Sequence, residues 1–290
     1  MHSLIVGCGD TGVRVAARAV AAQEQVTGIV RSDTSAAYVR AVGGVSRQID
    51  LDVSVSPTLP ACDRLIYSAP PPPEGKTDAR MAAVLAALPE VPSHVVYIST
   101  TGVYGDHGDE WIDETAPLQP ATARAGRRVD AEQQIRAWAP HAMILRAPGI
   151  YGPDRLPVQR VLDGEPVLAD SAGGWSNRIH IDDLASVVWA AANRHWPNRV
   201  YNVCDGQPTR RSAYYDTLAE LLGVAPPPKI DWAEARQRFS AMRLSFLAES
   251  RRLSNARLLS ETDVRLQFTD LRAGLIASLR GDPALAPGYD

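Results

Sequence analysis

Leu4-Ile5-Val6-Gly7-Cys8-Gly9-Asp10-Thr11-Gly12-Val13 opens the chain with a short apolar run that passes straight into Gly-x-Gly-x-x-Gly. The run reads as a strand. Val13, Ala16, Ala17 and Val20 then recur at three- and four-residue spacing, which gives a helix one apolar stripe to lay against a sheet. Residues 26–30 supply the next strand, so the glycines occupy the first turn of a β-α-β unit. In that frame Gly7 permits the tight turn, Gly9 lets a pyrophosphate approach the backbone, and Gly12 lets helix and strand pack closely. The helix N-terminus adds unpaired N–H donors for the anion. Gly7, Cys8, Gly9, Asp10, Thr11 and Gly12 are therefore expected to form a dinucleotide-binding loop, with Cys8 a small buried spacer.

Outward from the loop, β-branched runs at 45–47, 65–67, 95–98 and 143–145 alternate with helical stretches near 78–88 and 124–138, the latter stopped by Pro140. This alternation predicts an α/β protein with a Rossmann-type doubly wound parallel sheet. After residue 150 the rhythm breaks at Pro153, Pro157, Pro166 and Gly173-Gly174. Strands return at 179–181 and 200–203, with Asp182 and Asp183 placed to cap and complement a helix reaching about residue 194. From residue 209, three helical stretches are separated by Pro226-Pro227-Pro228 and the polar segment around Asn255. The expected division is a nucleotide-binding domain of residues 1–152 and 177–205, and a smaller, mostly helical substrate lobe of residues 153–176 and 206–290.

Composition narrows the function. Thirty Lys and Arg against 33 Asp and Glu leave a net charge of −3, so no global positive field recruits nucleic acid. No apolar run reaches the roughly 18 residues of a membrane span, and the N-terminus lacks a basic leader and apolar core. The three cysteines, Cys8, Cys62 and Cys204, are far apart, which fits a reducing cytoplasm and neither a disulfide framework nor a zinc site. No His, Cys or carboxylate spacing resembles a metal site. A small-molecule substrate and a monomer or homodimer are expected.

At the end of the second strand an NAD-selective site would carry an Asp or Glu for the ribose 2′-hydroxyl, and this chain has Arg31-Ser32. A guanidinium binds a 2′-phosphate that a carboxylate would repel, which favours NADP over NAD. The alternatives are a solvated Arg31 and a ribose contact from Asp33, although Asp33 better suits the cap of the next helix. Asp50 ends the third strand and is either an acceptor for the adenine amino group or a plain loop carboxylate. Ser68, Ala69 and Pro70 leave the fourth strand at the cleft, where Pro70 to Pro73 make a short rigid turn.

Five segments carry a family resemblance: the glycine loop, Tyr97-Ile98-Ser99-Thr100-Thr101-Gly102-Val103-Tyr104-Gly105, Leu145-Arg146-Ala147-Pro148-Gly149-Ile150-Tyr151-Gly152-Pro153, Arg178-Ile179-His180-Ile181-Asp182-Asp183, and Tyr201-Asn202-Val203. In this order and spacing the chain resembles the extended short-chain dehydrogenase/reductases, the NAD(P)-dependent epimerase/dehydratase group. The resemblance implies a nicotinamide cofactor, a small, nucleotide-sugar-like substrate, and Thr100 as the hydroxyl bonding the reacting oxygen. It also places Pro148 at the cofactor.

The same resemblance calls for Tyr-x-x-x-Lys on the helix before Glu132, and those positions hold Arg124 and Arg128. A phenol beside a cation exchanges protons, whereas arginine stays charged, so the family's acid/base pair is missing and the chain looks like an atypical subgroup. Arg124 and Arg128 share a helical face, either to grip cofactor and anionic substrate or as a solvated stripe with Arg127. Tyr104, Tyr151, Asp106 and Glu110 are the candidates for a replacement proton donor; both tyrosines precede glycines at strand ends and could equally be packing walls. Arg178 suits an anionic substrate group, His180 a structural hydrogen bond, and Trp111 a cover for cleft or core. The leading expectation is an NADP-dependent oxidoreductase or epimerase. Its alternative is a catalytically silent NADP(H) sensor or partner-binding module.

Overall fold

The computed structural model describes residues 1–53, 58–194, 196 and 198–281. Residues 282–290, which the sequence reading assigns to the smaller lobe, lie outside the described residues. Strand β1 (His2–Val6) leads through α1 (Asp10–Ala21), β2 (Gln25–Val30), α2 (Asp33–Ala41), β3 (Val45–Gln48), β4 (Arg64–Tyr67) and α3 (Ala79–Ala87) to β5 (His94–Thr100). A 3-10 turn (Thr101–Tyr104) and β6 (Trp111–Ile112) precede α4 (Ala123–Trp138), β7 (Met143–Ala147) and β8 (Gly149–Tyr151). Next come α5 (Val158–Leu162), β9 (Val167–Leu168), β10 (Trp175–Ser176), β11 (Arg178–His180), α6 (Ile181–Asn193) and β12 (Val200–Asn202). The remainder holds β13 (Thr209–Arg210), α7 (Arg211–Leu221), β14 (Lys229–Ile230), α8 (Trp232–Arg238), α9 (Ala241–Leu247), β15 (Arg252–Leu253), α10 (Ala256–Glu261) and α11 (Leu271–Arg280).

Seven strands form one parallel sheet in the order β12-β7-β5-β4-β1-β2-β3, which is the doubly wound Rossmann arrangement. The strand order reverses between β1 and β4, and a crevice opens beyond their carboxyl ends at Gly7 and Ser68. Alternation in β1 sends Ile5 to one face, with Val15, Ala16 and Ala19 of α1 and much of α6. Leu4 and Val6 go to the other, with Met81 and Val84 of α3 and Ala131 and Ile135 of α4. Covered on both faces, these strands read as the continuous apolar runs of the sequence. A separate cluster of Tyr151, Val161, Leu218, Ala219, Leu275 and Leu279 holds α5, α7 and α11 together. Leu258, Val264 and Leu266, from the segment assigned by sequence to the smaller lobe, pack into the first sheet cluster. Among the described residues no helix is long and apolar enough to cross a membrane.

Three local expectations are corrected. Ser32, not Asp33, caps α2, its Oγ accepting the Ser35 N–H at 3.3 Å. His180 caps α6 by accepting the Asp182 N–H on Nδ1 at 3.2 Å, and Asp182 and Asp183 fall in the first turn, where they complement the dipole. The stretch between the proline triplet and Asn255 divides into α8 and α9 because Phe239 turns extended and Ser240 caps a new helix.

Candidate cofactor groove and reaction chamber

The glycine loop is tied between two strands. Gly7 has φ +78° and lies so close to β4 that a Cβ would sit 2.4 Å from the Ala69 backbone N, while the Gly7 and Cys8 N–H groups donate to the Ile29 carbonyl at 3.0 and 2.9 Å. A Cβ on Gly12 would meet Cys8 Sγ and Ile5 Cγ2 at 3.2 Å, the expected helix–strand contact. Gly9 differs, since the nearest atom to its Cβ position is the Gly7 carbonyl oxygen at 3.9 Å. It is also the N-cap of α1, and no side chain caps that helix. Free N–H donors facing open space fit the diphosphate of a dinucleotide. Cys8 is fully buried, and burial pushes its thiol up to about 12, so it is an inert spacer.

Two cavities meet at Gly7 and Gly9. The first, about 200 Å³, has Arg31, Ser35, Asp50, Ala69, Pro70 and Arg80 on its walls. Ser32 does not face it, because its hydroxyl is spent on Ser35. Asp50 accepts the Asp52 N–H at 3.0 Å. Arg80, which no motif marked, donates to the Pro70 carbonyl at 2.8 Å and pairs with Asp52, fastening the proline turn. The second cavity, about 290 Å³, has Asp10, Thr11, Ser68, Thr100, Arg128 and Pro148 on its walls, with Arg155. Asp10 is engaged by Arg14 at 3.0 Å and Arg155 at 2.7 Å.

Beyond Thr100 lies a chamber of about 330 Å³ sharing Thr100, Arg128 and Pro148 with the groove. Thr100 Oγ1 accepts the Gly102 N–H at 3.3 Å. Arg128 donates to the Tyr97 hydroxyl at 3.0 Å and the Ile98 carbonyl at 3.2 Å, which fixes it to the end of β5. Arg124 rests its guanidinium 3.9 Å from the Phe246 ring of α9. Beneath this floor, buried Glu132 accepts from Ser99 at 2.6 Å and is held bidentate by Arg146 at 3.0 and 2.6 Å. An outer cavity of about 490 Å³, with Tyr151, Arg178, Tyr214, Tyr215 and Arg243, continues from the chamber through Asn177, Arg211 and Phe246.

None of the four expected proton donors lines the groove and chamber around Thr100. Tyr104 is fully buried, its hydroxyl donating to Asn202 at 2.7 Å, and burial pushes it up to about 12. It packs under the chamber floor with the Arg146 guanidinium 4.8 Å from its ring. The Tyr151 hydroxyl presses on α11, where a Cβ at Gly274 would lie 2.0 Å away, and burial raises its pKa. Asp106 accepts the N–H groups of Gly108 and Ser250 at 3.1 and 2.8 Å, a loop brace. Glu110 and Trp111 line a separate surface hollow, with Trp111 53% exposed and Arg252 at 5.4 Å. Arg178 reaches only the outer cavity and lies 3.5 Å from the Asp205 carboxylate. His180 is structural, stacked 3.9 Å from Phe268 with its pKa lowered by burial. Among the described residues, no tyrosine, lysine, histidine or cysteine side chain faces the groove and chamber around Thr100.

The profile of the NAD dependent epimerase/dehydratase family matches residues 77–204. A solved structure, a functionally unknown conserved protein from Silicibacter pomeroyi DSS, is 34% identical, covers 94% of this chain and 96% of its own, and superposes with a TM-score of 0.80. Protein YeeZ of Escherichia coli K12 is 28% identical over 239 residues, which span 77% of this chain and 84% of YeeZ. A dTDP-glucose 4,6-dehydratase from Bacillus anthracis str. Ames, solved in complex with NAD, shares 14% identity, a TM-score of 0.74, and 97% and 96% coverage, a likeness of fold. The chain shares a family with the Silicibacter pomeroyi protein, and its residues 77–204 carry the NAD dependent epimerase/dehydratase domain.

Proposed function

We propose that this chain is an NADP-dependent oxidoreductase or epimerase of that family, acting on a small molecule in the chamber beyond Thr100, with a proton donor other than the family's tyrosine. The observation that carries the reading is the open face of Gly9 at an uncapped helix N-terminus, leading without interruption to Thr100. Gly7, Gly9, Asp10, Thr11 and Gly12 would hold the diphosphate, Arg31 and Ser35 the 2′-phosphate, and Ala69 and Pro70 the adenosine wall. Bound there, the nicotinamide supplies hydride exchange. Thr100 would orient the reacting oxygen, and Arg128 would hold the nicotinamide end while staying charged. The test is NADPH and NADH titration by fluorescence, followed by single-turnover absorbance with aldehydes, ketones and nucleotide sugars. Binding of NADPH in preference to NADH, with oxidation by at least one carbonyl, is expected.

A second reading is a catalytically silent NADP(H)-binding sensor. What favours it is the lack of a tyrosine, lysine, histidine or cysteine among the described residues around Thr100. Tight cofactor binding with persistent silence across the panel would decide for it.

A further inference from the structure

The inference concerns the substrate of the same chamber and rests on the cofactor reading above. We infer that the substrate carries a compact oxyanion, a carboxylate or phosphate monoester, within a few bonds of its reacting carbon, gripped by Arg124 and Arg211. The chamber walls present four guanidiniums, from Arg124, Arg128, Arg211 and Arg251, against the single carboxylate of Glu249. Arg251 uses that carboxylate, at 2.9 Å. Among the described residues no carboxylate pairs with Arg124, Arg128 or Arg211. Arg128 is committed to Tyr97 and Ile98, and Arg211 donates only to the Glu249 carbonyl, leaving its buried Nε without a partner.

The excess is local. In the adjoining cavities Arg155 pairs with Asp10, Arg160 and Arg243 with Glu165, and Arg178 with Asp205. Positive charge without counter-charge, in a chain of net charge −3, is thus concentrated where a family tyrosine would stand. Cations held together away from bulk water repel one another, so a bound oxyanion relieves the chamber, and the guanidinium fork matches its geometry. Phe246 stacked on Arg124 keeps that fork oriented. A neutral sugar ring would leave these charges unmet.

The test uses the full chain saturated with NADPH, which fills the anion site of the glycine loop, and titrates oxalate, inorganic phosphate and neutral oxamide by calorimetry and thermal unfolding. Oxalate or phosphate should raise the melting temperature and oxamide should not, the tighter anion assigning carboxylate or phosphate. Arg124→Gln and Arg211→Gln should each weaken anion binding by about tenfold or more, with NADPH affinity held within about twofold. Arg211→Lys keeps the charge and should retain most of the affinity, which covers a poorly folded Gln variant. Oxamide binding as well as oxalate, silence toward both anions, or anion binding indifferent to both substitutions overturns the inference. Should NADPH itself fail to bind, the cofactor reading falls, and the same anion arms are read on Gly9→Val, whose loop is blocked.

Discussion

Valine at position 9 separates ligand contact from folding more cleanly than any other change in the groove. Its Cβ would meet no atom nearer than the Gly7 carbonyl oxygen at 3.9 Å, and Gly9 has φ −84°, which any residue adopts. The backbone therefore has room for a Cβ, and the change should cost about 1 kcal/mol for a poorer helix cap. The stiffer unfolded chain returns about 0.4–1 kcal/mol of that. The melting temperature should move by no more than about 2–4 °C. The ligand fares differently, because the isopropyl group fills the space in which a diphosphate meets the N-terminal N–H groups of α1. Charge-assisted hydrogen bonds are worth about 1.5–3 kcal/mol each, so losing two costs about 3–6 kcal/mol. At about 1.4 kcal/mol per tenfold, NADPH affinity should fall by about 10² to 10⁴.

Gly7→Ala is the contrasting control. There a Cβ would lie 2.4 Å from a backbone atom at φ +78°, so folding itself should fail or the melting temperature collapse. Circular dichroism melts and fluorescence titration of NADPH read both variants. A folded Gly9→Val protein that binds NADPH like the parent would refute the placement of the diphosphate.

Arg31→Asp should weaken NADPH binding by about tenfold or more while leaving NADH nearly unchanged, since only the 2′-phosphate meets the reversed charge; equal losses would remove Arg31 from the site. Burial lifts the Asp205 carboxyl to about 6, against the pull of Arg178. A raised carboxyl pKa adds stability that is complete below the unfolded value and is lost as pH rises through 6. Wild type should therefore lose up to about 3 kcal/mol relative to Asp205→Asn between pH 4 and 7, measured by urea unfolding, and a pH-independent difference would contradict it. With any active carbonyl substrate, the single-turnover rate should lack a limb that Tyr151→Phe or Tyr104→Phe abolishes, because both phenols are packed away from Thr100. Loss of a limb in either variant would return that tyrosine to the chamber.

The nucleotide-binding half was legible because its signals are local. A strand, a glycine loop and a helix stripe stand next to one another in the chain, and each strand of the sheet carries its own apolar run. Arg124 and Arg128 were legible too, since four residues on one helix fix their common face. The chamber was not, because Trp175, Arg211, Phe246 and Arg251 come from four separate stretches of the chain, and nothing in their own neighbourhoods marks them. Tyr151 shows how the reading fails. A tyrosine before a glycine at a strand end looks exposed, yet Gly274, far along the chain on α11, supplies the gap that its hydroxyl occupies. The only sequence trace is a glycine inside a helix, a residue that ordinarily weakens it.

Arginines at the two positions where the resemblance expects tyrosine and lysine would not affect the two roles equally. In the proposed site a lysine would supply a fixed positive charge, and Arg128 keeps such a charge anchored on Tyr97 and Ile98. A tyrosine in the proposed site would pass a proton, whereas an arginine such as Arg124 keeps its N–H protons and only donates hydrogen bonds. What remains around Thr100 among the described residues are hydroxyls of threonine and serine, the Glu249 carboxylate already held by Arg251, and the Asp10 carboxylate already held by Arg14 and Arg155. Hydride transfer in such a chamber would have to draw its proton from water or from the substrate itself. In the proposed site one face of α4 would thus keep the fixed charge and lose the acid, and a substrate that reacts there would have to suit walls that offer charge but no free acid.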